Sequence, residues 1–254
     1  MLEIKNLTAG YGSREILHHI SLTSPAGAVT VLVGANGCGK STLLKTIAGI
    51  HPPTGGEILH DGEALRSLDG RTLAQRVAYL PQSRQIPEIT AERLVLHGRF
   101  PYLSYPHRYR QADLEIARRA MADLGIEDLA DRSLRTLSGG QRQKVYIAMA
   151  LAQNTPIVMM DEPTNFLDIA HQMQMMTQAR YLADSGKTVL LVLHDLSMAL
   201  RYADHLAVMQ EGNILIQGSA EVVFASGCLD AAFGVQVRRT ATEDGWQYYY
   251  REGC

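Results

Sequence analysis

The stretch Gly34-Ala35-Asn36-Gly37-Cys38-Gly39-Lys40-Ser41-Thr42 decides how this chain folds. It follows the phosphate-loop pattern, in which a glycine and four further residues precede Gly-Lys-Ser. The apolar and β-branched run at residues 29–33 comes just before it and predicts a buried strand. Apolar residues at helical spacing follow the stretch and stop at Gly49; they are Leu43, Leu44 and Ile47. The motif therefore lies between a predicted strand and a predicted helix, which is the setting it requires.

The glycines of this loop let the backbone bend closely around a phosphate, and the N–H groups at the start of the helix then face the anion. Lys40 would reach the β- and γ-phosphates of a nucleotide, and the Ser41 hydroxyl would bind Mg²⁺. A glycine-rich turn without a ligand explains neither the complete motif nor its flanking elements. The residues expected to bind ATP here are Gly34, Asn36, Gly37, Cys38, Gly39, Lys40, Ser41 and Thr42.

The bulk properties exclude several other classes of protein. The chain has 254 residues, 46% of them hydrophobic, and a formal net charge of -2 without a long basic run, which argues against nucleic acid as the main partner. The cysteines, Cys38, Cys228 and Cys254, form no disulfide framework, so a reducing compartment is expected. The N-terminus lacks a signal-peptide core, and no apolar run is long enough to span a bilayer. A role at a membrane must therefore come through a partner.

Predicted strands alternate with predicted helices, which favours a mainly parallel sheet with helices on both faces. Residues 1–82 and 154–225 are expected to form an α/β nucleotide-binding core with an antiparallel β part near the N-terminus. Residues 83–153 read as a mostly helical insertion, and residues 226–254 as a hairpin-like tail. Strands are predicted at 2–7, 16–22, 77–80, 157–160 and 189–193, with hairpins at 58–63, 206–216 and 235–250.

Polar residues follow several of the predicted strands, and the carboxyl ends of strands are where ligands bind in open α/β sheets. Asp161 follows four apolar residues, a pattern typical of the acid that supports Mg²⁺ in phosphate-loop enzymes. Its neighbour Glu162 would polarise an attacking water. Gln82 would bridge metal and water, and His194 would contact the γ-phosphate. The predicted catalytic residues are thus Glu162, His194 and Gln82, and the predicted Mg²⁺ ligands are Ser41, Gln82 and Asp161.

A second glycine-containing motif, Leu137-Ser138-Gly139-Gly140-Gln141, opens an amphipathic helix. Ser138 is a natural N-cap, and the glycines leave backbone N–H groups bare, so this is a second anion-binding helix N-terminus. The simpler alternative is a glycine-rich cap without a ligand. One ATP needs only one phosphate cradle, so a second cradle in the same chain requires an explanation.

Taken together, these residues resemble the ATP-binding cassette (ABC) ATPases over nearly the whole chain, with a RecA-like core. The family's features occur once each and in family order: the adenine-stacking aromatic Tyr11, the phosphate loop, the glutamine loop at Gln82, the signature at 137–141, the Asp161-Glu162 pair, Asp168 in the loop 165–168, and the switch histidine His194. Ala35, where many members have proline, departs from the pattern and affects only loop stiffness.

The resemblance implies a head-to-tail dimer of two copies of this chain. Each ATP would lie between the phosphate loop of one copy and the signature of the other, which would explain the second cradle. Residues binding ATP from the opposite copy would be Ser138, Gly139, Gly140 and Gln141, and Asp168 would lie in a loop at the dimer contact.

Two short stretches narrow the subfamily. Residues 98–103 resemble importers of iron chelates, haem and cobalamin, and residues 151–156 are similar to their ferric-siderophore members. This implies the ATPase subunit of an iron-chelate importer, peripheral at the cytoplasmic face of the plasma membrane. Its partners would be polytopic permease subunits and, indirectly, a substrate-binding protein. The segment from Gln82 to Leu103 would couple the site to the permease, with an exposed aromatic pair, Phe100 and Tyr102, beside Arg99 as the interface. Alternatively, Phe100 or Tyr102 fills the insertion's own core.

Two other functions are disfavoured. A soluble cassette ATPase of DNA repair, translation or iron–sulfur assembly does not account for the segment 98–101, and a small phosphate-loop kinase has no use for a signature.

Two further patterns have simpler interpretations. The residues His171, Met173, Met175 and Met176 have helical spacing and indicate a core or interface stripe rather than a soft-metal site. The run 248–250 favours a strand face over a nucleic-acid stacking platform.

Overall fold

A computed structural model describes residues 1–82, 86–165, 167–243 and 245–252. The strands are β1 (Leu2–Tyr11), β2 (Arg14–Ser24), β3 (Val29–Gly34), β4 (Gly55–His60), β5 (Glu63–Ala64), β6 (Val77–Leu80), β7 (Ile157–Asp161), β8 (Thr188–Val192), β9 (His205–Gln210), β10 (Asn213–Gly218), β11 (Val235–Thr242) and β12 (Gly245–Glu252). The α-helices are α1 (Lys40–Ile47), α2 (Gly70–Arg76), α3 (Ala91–His97), α4 (Gln111–Ala122), α5 (Gly139–Gln153), α6 (Ile169–Asp184), α7 (Leu196–Tyr202), α8 (Ala220–Ala225) and α9 (Cys228–Phe233).

The central sheet has six strands in the order β10-β9-β3-β8-β7-β6. Five of them run parallel, and only β10 pairs antiparallel with its neighbour β9. Every residue of β3, β7 and β8 is buried, as expected for apolar strands that are covered on both faces. The predicted fold class, a phosphate-loop α/β core with a mainly parallel sheet, is confirmed.

A second, antiparallel sheet has the order β2-β1-β4-β5 and confirms the predicted antiparallel β part. Asp61 and Gly62 both have positive φ, 50° and 82°, and turn the chain between β4 and β5 as the Asp-Gly pair predicts. Helix α1 packs between the two sheets through Leu43, Leu44 and Ile47, in one cluster with residues of both. This packing fixes the phosphate loop, which leads into α1, relative to the antiparallel sheet.

Between β6 and β7 the described chain is helical, with α3, α4 and α5 packed on one another. The Thr90 side chain accepts a hydrogen bond from the Arg93 N–H and caps α3.

The predicted domain boundaries remain predictions. Several residues named in the sequence predictions lie outside the described residues: 83–85 at the start of the insertion, Phe166 in the loop after Glu162, Asp244 in the tail hairpin, and Cys254 at the end of the chain.

Helix α6 carries the methionine pattern that predicts a core or interface stripe. Met175 and Met176 are buried, whereas Met173 is 47% exposed. The core position is therefore confirmed for these two methionines, whereas Met173 faces away from the core and its place in an interface stays a prediction.

Arg99 is not part of an exposed interface, and that prediction is wrong. Its guanidinium is buried, with Nε 3.1 Å from Asp113 Oδ1 and Nη1 donating to the Ala152 carbonyl at 2.9 Å. Tyr102 lies beneath it, with the guanidinium carbon 3.9 Å from the ring centre, and donates its hydroxyl to Gln153 O at 2.8 Å. Phe100 is 53% exposed and remains available for an interface, and Tyr102 is partly buried. Arg99 and Tyr102 instead hold the insertion together.

Replacing Arg99 with Ala should therefore destabilise the protein. The change leaves the buried Asp113 carboxylate with the Arg110 N–H as its only donor among the residues that the structure describes, and it should lower the unfolding free energy by roughly 2–4 kcal/mol in urea titration. Arg118→Ala is the matched control, since it breaks an exposed pair with Glu92 and should cost less than about 1 kcal/mol. Equal losses in both variants would contradict a structural role for Arg99.

Candidate active site

The phosphate loop joins β3 to α1 and has the backbone that its glycines predict. Gly37 and Gly39 have positive φ, 79° and 107°, a region that favours glycine. A Cβ on Gly39 would lie 2.9 Å from Met209 Cε and 3.0 Å from Leu17 Cδ2, so a side chain there would be crowded as well as strained. The loop is thus held in a tight turn from which α1 begins at Lys40.

Lys40 is 5% exposed, and its charge is satisfied by the loop itself. Nζ donates to the carbonyls of Gly34 at 2.8 Å and Ala35 at 3.0 Å. A buried ammonium needs such partners. The lysine therefore lies folded against the loop, with its charge beside the position where the motif places a phosphate.

A cleft of about 380 Å³ opens over this loop. Tyr11 lies on its wall, 51% exposed, with its ring 4.3 Å from the His51 ring. Gly34 and Cys38, both predicted to bind ATP, do not line the cleft, and Cys38 is buried beneath the loop. Arg14 and Ile16 of β2 do line it, although the sequence pattern of β2 gave no sign of this. The lining residues are Tyr11, Arg14, Ile16, Asn36, Gly37, Gly39, Lys40, Ser41, Thr42 and Glu162.

The predicted catalytic residues come together at the Glu162 carboxylate. Gln82 Nε2 and Asn165 Nδ2 both donate to Glu162 Oε2, and His194 Nε2 contacts Oε1. The three strands β6, β7 and β8 are parallel neighbours, so the residues that follow them meet at one edge of the sheet. The sequence pattern marks Asn165 only as part of the loop before Asp168, and its hydrogen bond to Glu162 is seen only in the structure.

Glu162 has an unusual backbone for a glutamate. Its φ is 51°, in the left-handed region, and its N–H donates to the Val192 carbonyl at 3.2 Å. Side chains other than glycine rarely adopt this conformation, which tends to occur at functional sites. The strain turns the carboxylate from the end of β7 towards the cleft.

Asp161, the last residue of β7, is 3% exposed. The Tyr79 hydroxyl donates to its Oδ2 at 3.3 Å, while Oδ1 is buried without a hydrogen-bond partner among the described residues. Burial raises the pKa of this carboxyl, and hydrogen bonding from Ser41 and Tyr79 opposes the rise. Oδ1, a buried carboxylate oxygen without a hydrogen-bond partner in the described ranges, is suited to a cation.

The signature residues and Asp168 lie away from this cleft. Ser138 caps α5, accepting from the Gln141 N–H at 3.2 Å while Gln141 Oε1 accepts from the Ser138 N–H at 3.1 Å. Asp168 caps α6, and hydrogen bonds from the His171 backbone and ring hold the pKa of its carboxyl low. The His171 ring lies against Gly140, where a side chain would collide with it. Within the described chain, no signature residue lines the cleft over the phosphate loop.

Residues 17–165 match the family model described as ABC transporter. The chain belongs to the ABC transporter family. Members that serve transporters as ATP-binding subunits are ATPases, and this ABC protein binds and hydrolyses ATP. No helix in the described ranges of this ABC ATPase is both long and apolar enough to cross a bilayer.

The relatives of this ABC ATPase include named importer subunits. It is 42% identical to the petrobactin import ATP-binding protein FpuD of Bacillus anthracis, covering 87% of this chain and 82% of that protein. It is 40% identical to the ferric enterobactin transport ATP-binding protein FepC of Escherichia coli (strain K12), covering 91% and 86%. Among solved structures, an inward-facing ABC transporter described as of the metal-chelate type is similar with a TM-score of 0.85 at 26% identity, covering 98% and 96%.

The buried Asp161 of this ABC ATPase should lower its stability at neutral pH without nucleotide. The pKa of the Asp161 carboxyl is raised in the folded state, so the ionised carboxylate lowers the free energy of unfolding at pH values above that pKa. This loss of stability disappears below the pKa of about 3.9 that the carboxyl has in the unfolded chain. Asp161→Asn should therefore raise the melting temperature at pH 7 in EDTA, and the gain should shrink as the pH falls. A gain that is constant with pH would contradict this origin, and Asp128→Asn, an exposed site, is the control.

Proposed function

We propose that this chain is the ATP-hydrolysing subunit of an importer that carries a ferric siderophore or a related iron chelate through a membrane permease. The observation that carries the proposal is its similarity, over most of both chains, to subunits named for petrobactin import and ferric enterobactin transport. The chain would lie at the cytoplasmic face of the membrane, bound to polytopic permease subunits, with a substrate-binding protein delivering the chelate.

Glu162 would activate the water that attacks the γ-phosphate. An ionised carboxylate has about four acceptor positions, so the contacts from Gln82, Asn165 and His194 leave it able to accept a proton from water. Those three side chains fix the direction of the carboxylate in advance, and Lys40 supplies positive charge near the phosphates. Catalysis of this kind works by positioning and electrostatic stabilisation.

The residues present fit a Mg²⁺ ion, because Asp161 has a buried carboxylate oxygen to which no described residue donates a hydrogen bond. Ser41, Asp161 and Gln82 would hold it. Gln82 uses its amide nitrogen on Glu162, so its amide oxygen remains for the ion. When bound, Mg²⁺ neutralises charge on the phosphate oxygens.

Each hydrolysis site would be shared between two copies of this chain arranged head to tail. Two features support this arrangement: the signature forms a capped helix N-terminus at which Ser138 and Gly139 are exposed, and its residues do not line the cleft of their own chain. Phosphate bound by one copy would thus meet Ser138, Gly139 and Gly140 of the other. Loss of the γ-phosphate would remove these contacts and open the dimer.

The proposal is tested by purifying the chain with the membrane proteins that bind it and measuring ATP hydrolysis in lipid. A ferric siderophore, presented by the binding protein, should stimulate hydrolysis, and the same siderophore without iron should not. Haem and cobalamin are the competing cargoes. If one of them stimulates hydrolysis and the ferric siderophore does not, the assignment of a ferric siderophore as the cargo is contradicted. Association with ribosomes or DNA in place of a polytopic membrane protein would contradict import altogether.

A further inference from the structure

The C-terminal hairpin, β11 and β12, is attached to the helix that follows the switch histidine. Ser197, in the first turn of α7, donates its N–H to the Tyr250 hydroxyl at 2.7 Å. The Ser197 hydroxyl lies 2.7 Å from the same Tyr250 oxygen and also donates to the Tyr248 carbonyl at 3.2 Å. Three hydrogen bonds thus join one residue of α7 to one strand of the tail.

The hairpin is itself firmly anchored to the rest of the chain. Arg239 of β11 lies between the rings of Phe224 and Trp246, at 4.7 and 4.0 Å from their centres, and pairs with Glu221 of α8. Tyr248 packs edge-on against Phe224 at 5.4 Å. These contacts hold the hairpin without the Tyr250 hydroxyl, so removing that hydroxyl should leave the tail in place.

The contact between hairpin and α7 lies three residues from the site. Asp195 caps α7 by accepting from the Met198 N–H at 3.1 Å and from the Ser197 N–H at 2.8 Å, and the latter N–H is shared with the Tyr250 hydroxyl. His194 precedes it directly and contacts the Glu162 carboxylate. Burial and the Asp195 carboxylate raise the pKa of Tyr250, whose hydroxyl therefore stays protonated in this contact. The loop 193–195 is thus held from one side by the sheet and from the other by the tail.

We propose that Tyr250 is a positioning residue for ATP hydrolysis, whose hydroxyl holds Ser197 and thereby keeps His194 against Glu162. This inference rests on the proposed roles of Glu162 and His194. Tyr250 does not touch the cleft over the phosphate loop and acts only through the switch loop. Any ligand or protein that displaced the hairpin would slow hydrolysis by the same route.

The test compares Tyr250→Phe with Tyr249→Phe. Successive strand residues face opposite sides, and within the described residues the Tyr249 hydroxyl has no hydrogen-bond partner. Tyr250 is 45% exposed and Tyr249 is 41% exposed, so the two variants lose the same hydroxyl group at similar solvent exposure. Tyr250→Phe should lower kcat about three- to tenfold with the KM for ATP unchanged, as loss of one or two hydrogen bonds predicts. Tyr249→Phe should match the parent.

A spectroscopic readout separates positioning from general damage. Histidine-selective NMR spectra, with the His194 resonance assigned from His194→Ala, should show that resonance shifted in Tyr250→Phe and unshifted in Tyr249→Phe. An unshifted His194 resonance, or equal kcat in both variants, would overturn the inference. A parent protein that hydrolyses no ATP would instead overturn the proposed function, and the His194 resonance would still report whether the hairpin holds the switch loop.

Discussion

Glu162→Gln should lower the rate of ATP hydrolysis by at least about 100-fold, the usual contribution of a general base. Glutamine keeps the size of the side chain but has no basic oxygen to take a proton from water. The phosphate loop and Lys40 are unchanged, so ATP should still bind and the ATP-bound dimer should accumulate. Single-turnover hydrolysis and gel filtration with ATP and Mg²⁺ measure the two effects.

Two control variants make this result specific. Glu57→Gln makes the same chemical change on an exposed residue of β4 and should hydrolyse ATP at the parent rate. Lys40→Ala should instead weaken ATP binding itself, because it removes the charge that lies beside the phosphate loop. A Glu162→Gln protein that hydrolyses ATP like the parent would rule out Glu162 as the base.

Mixing Lys40→Ala with Ser138→Arg should restore ATPase activity that neither variant has alone. If each site combines the phosphate loop of one copy with the signature of the other, a mixed dimer gathers both lesions in one site and leaves the second intact. Random mixing makes about half of the dimers mixed, so about a quarter of the parental sites become active. This expectation holds when one intact site turns over alone.

The mixing experiment has a structural control, since Ser138 also caps α5 and its replacement costs about 1 kcal/mol of helix stability. Ser219→Arg removes the corresponding cap of α8, where the side chain accepts from Val222 N at 3.3 Å. That variant should stay active by itself, which separates loss of a cap from loss of a shared site. Given turnover by one intact site, no recovery on mixing at any protein concentration would contradict a site shared between two copies.

Local patterns were sufficient to predict the central sheet and much of the candidate site. The runs that became β3, β7 and β8 are apolar throughout, and buried parallel strands need that composition. Because such strands end at one edge, the positions of Gln82, Glu162 and His194 also followed from the chain order. The helices α2, α7, α8 and α9 were not predicted; each has only six or seven residues and therefore shows little of a helical period.

Contacts between distant residues could not be predicted from local patterns. The local pattern around Arg99 predicted an interface residue because its partner Asp113 lies fourteen positions away on α4. The bond between Ser197 and the Tyr250 hydroxyl spans 53 positions, and no pattern in the sequence marks it. In each case the side chain's role depends on a partner brought close only by tertiary packing.

Uptake of a radioactive ferric siderophore into cells tests the central claim most directly. The cells lack their own copy of this chain and carry either the parent or Glu162→Gln at equal abundance, with Glu57→Gln as the control. The parent and Glu57→Gln should restore uptake, while Glu162→Gln should leave it at the level of the deletion. Uptake through Glu162→Gln equal to that of the parent, or no uptake through a parent protein that hydrolyses ATP, would contradict the account.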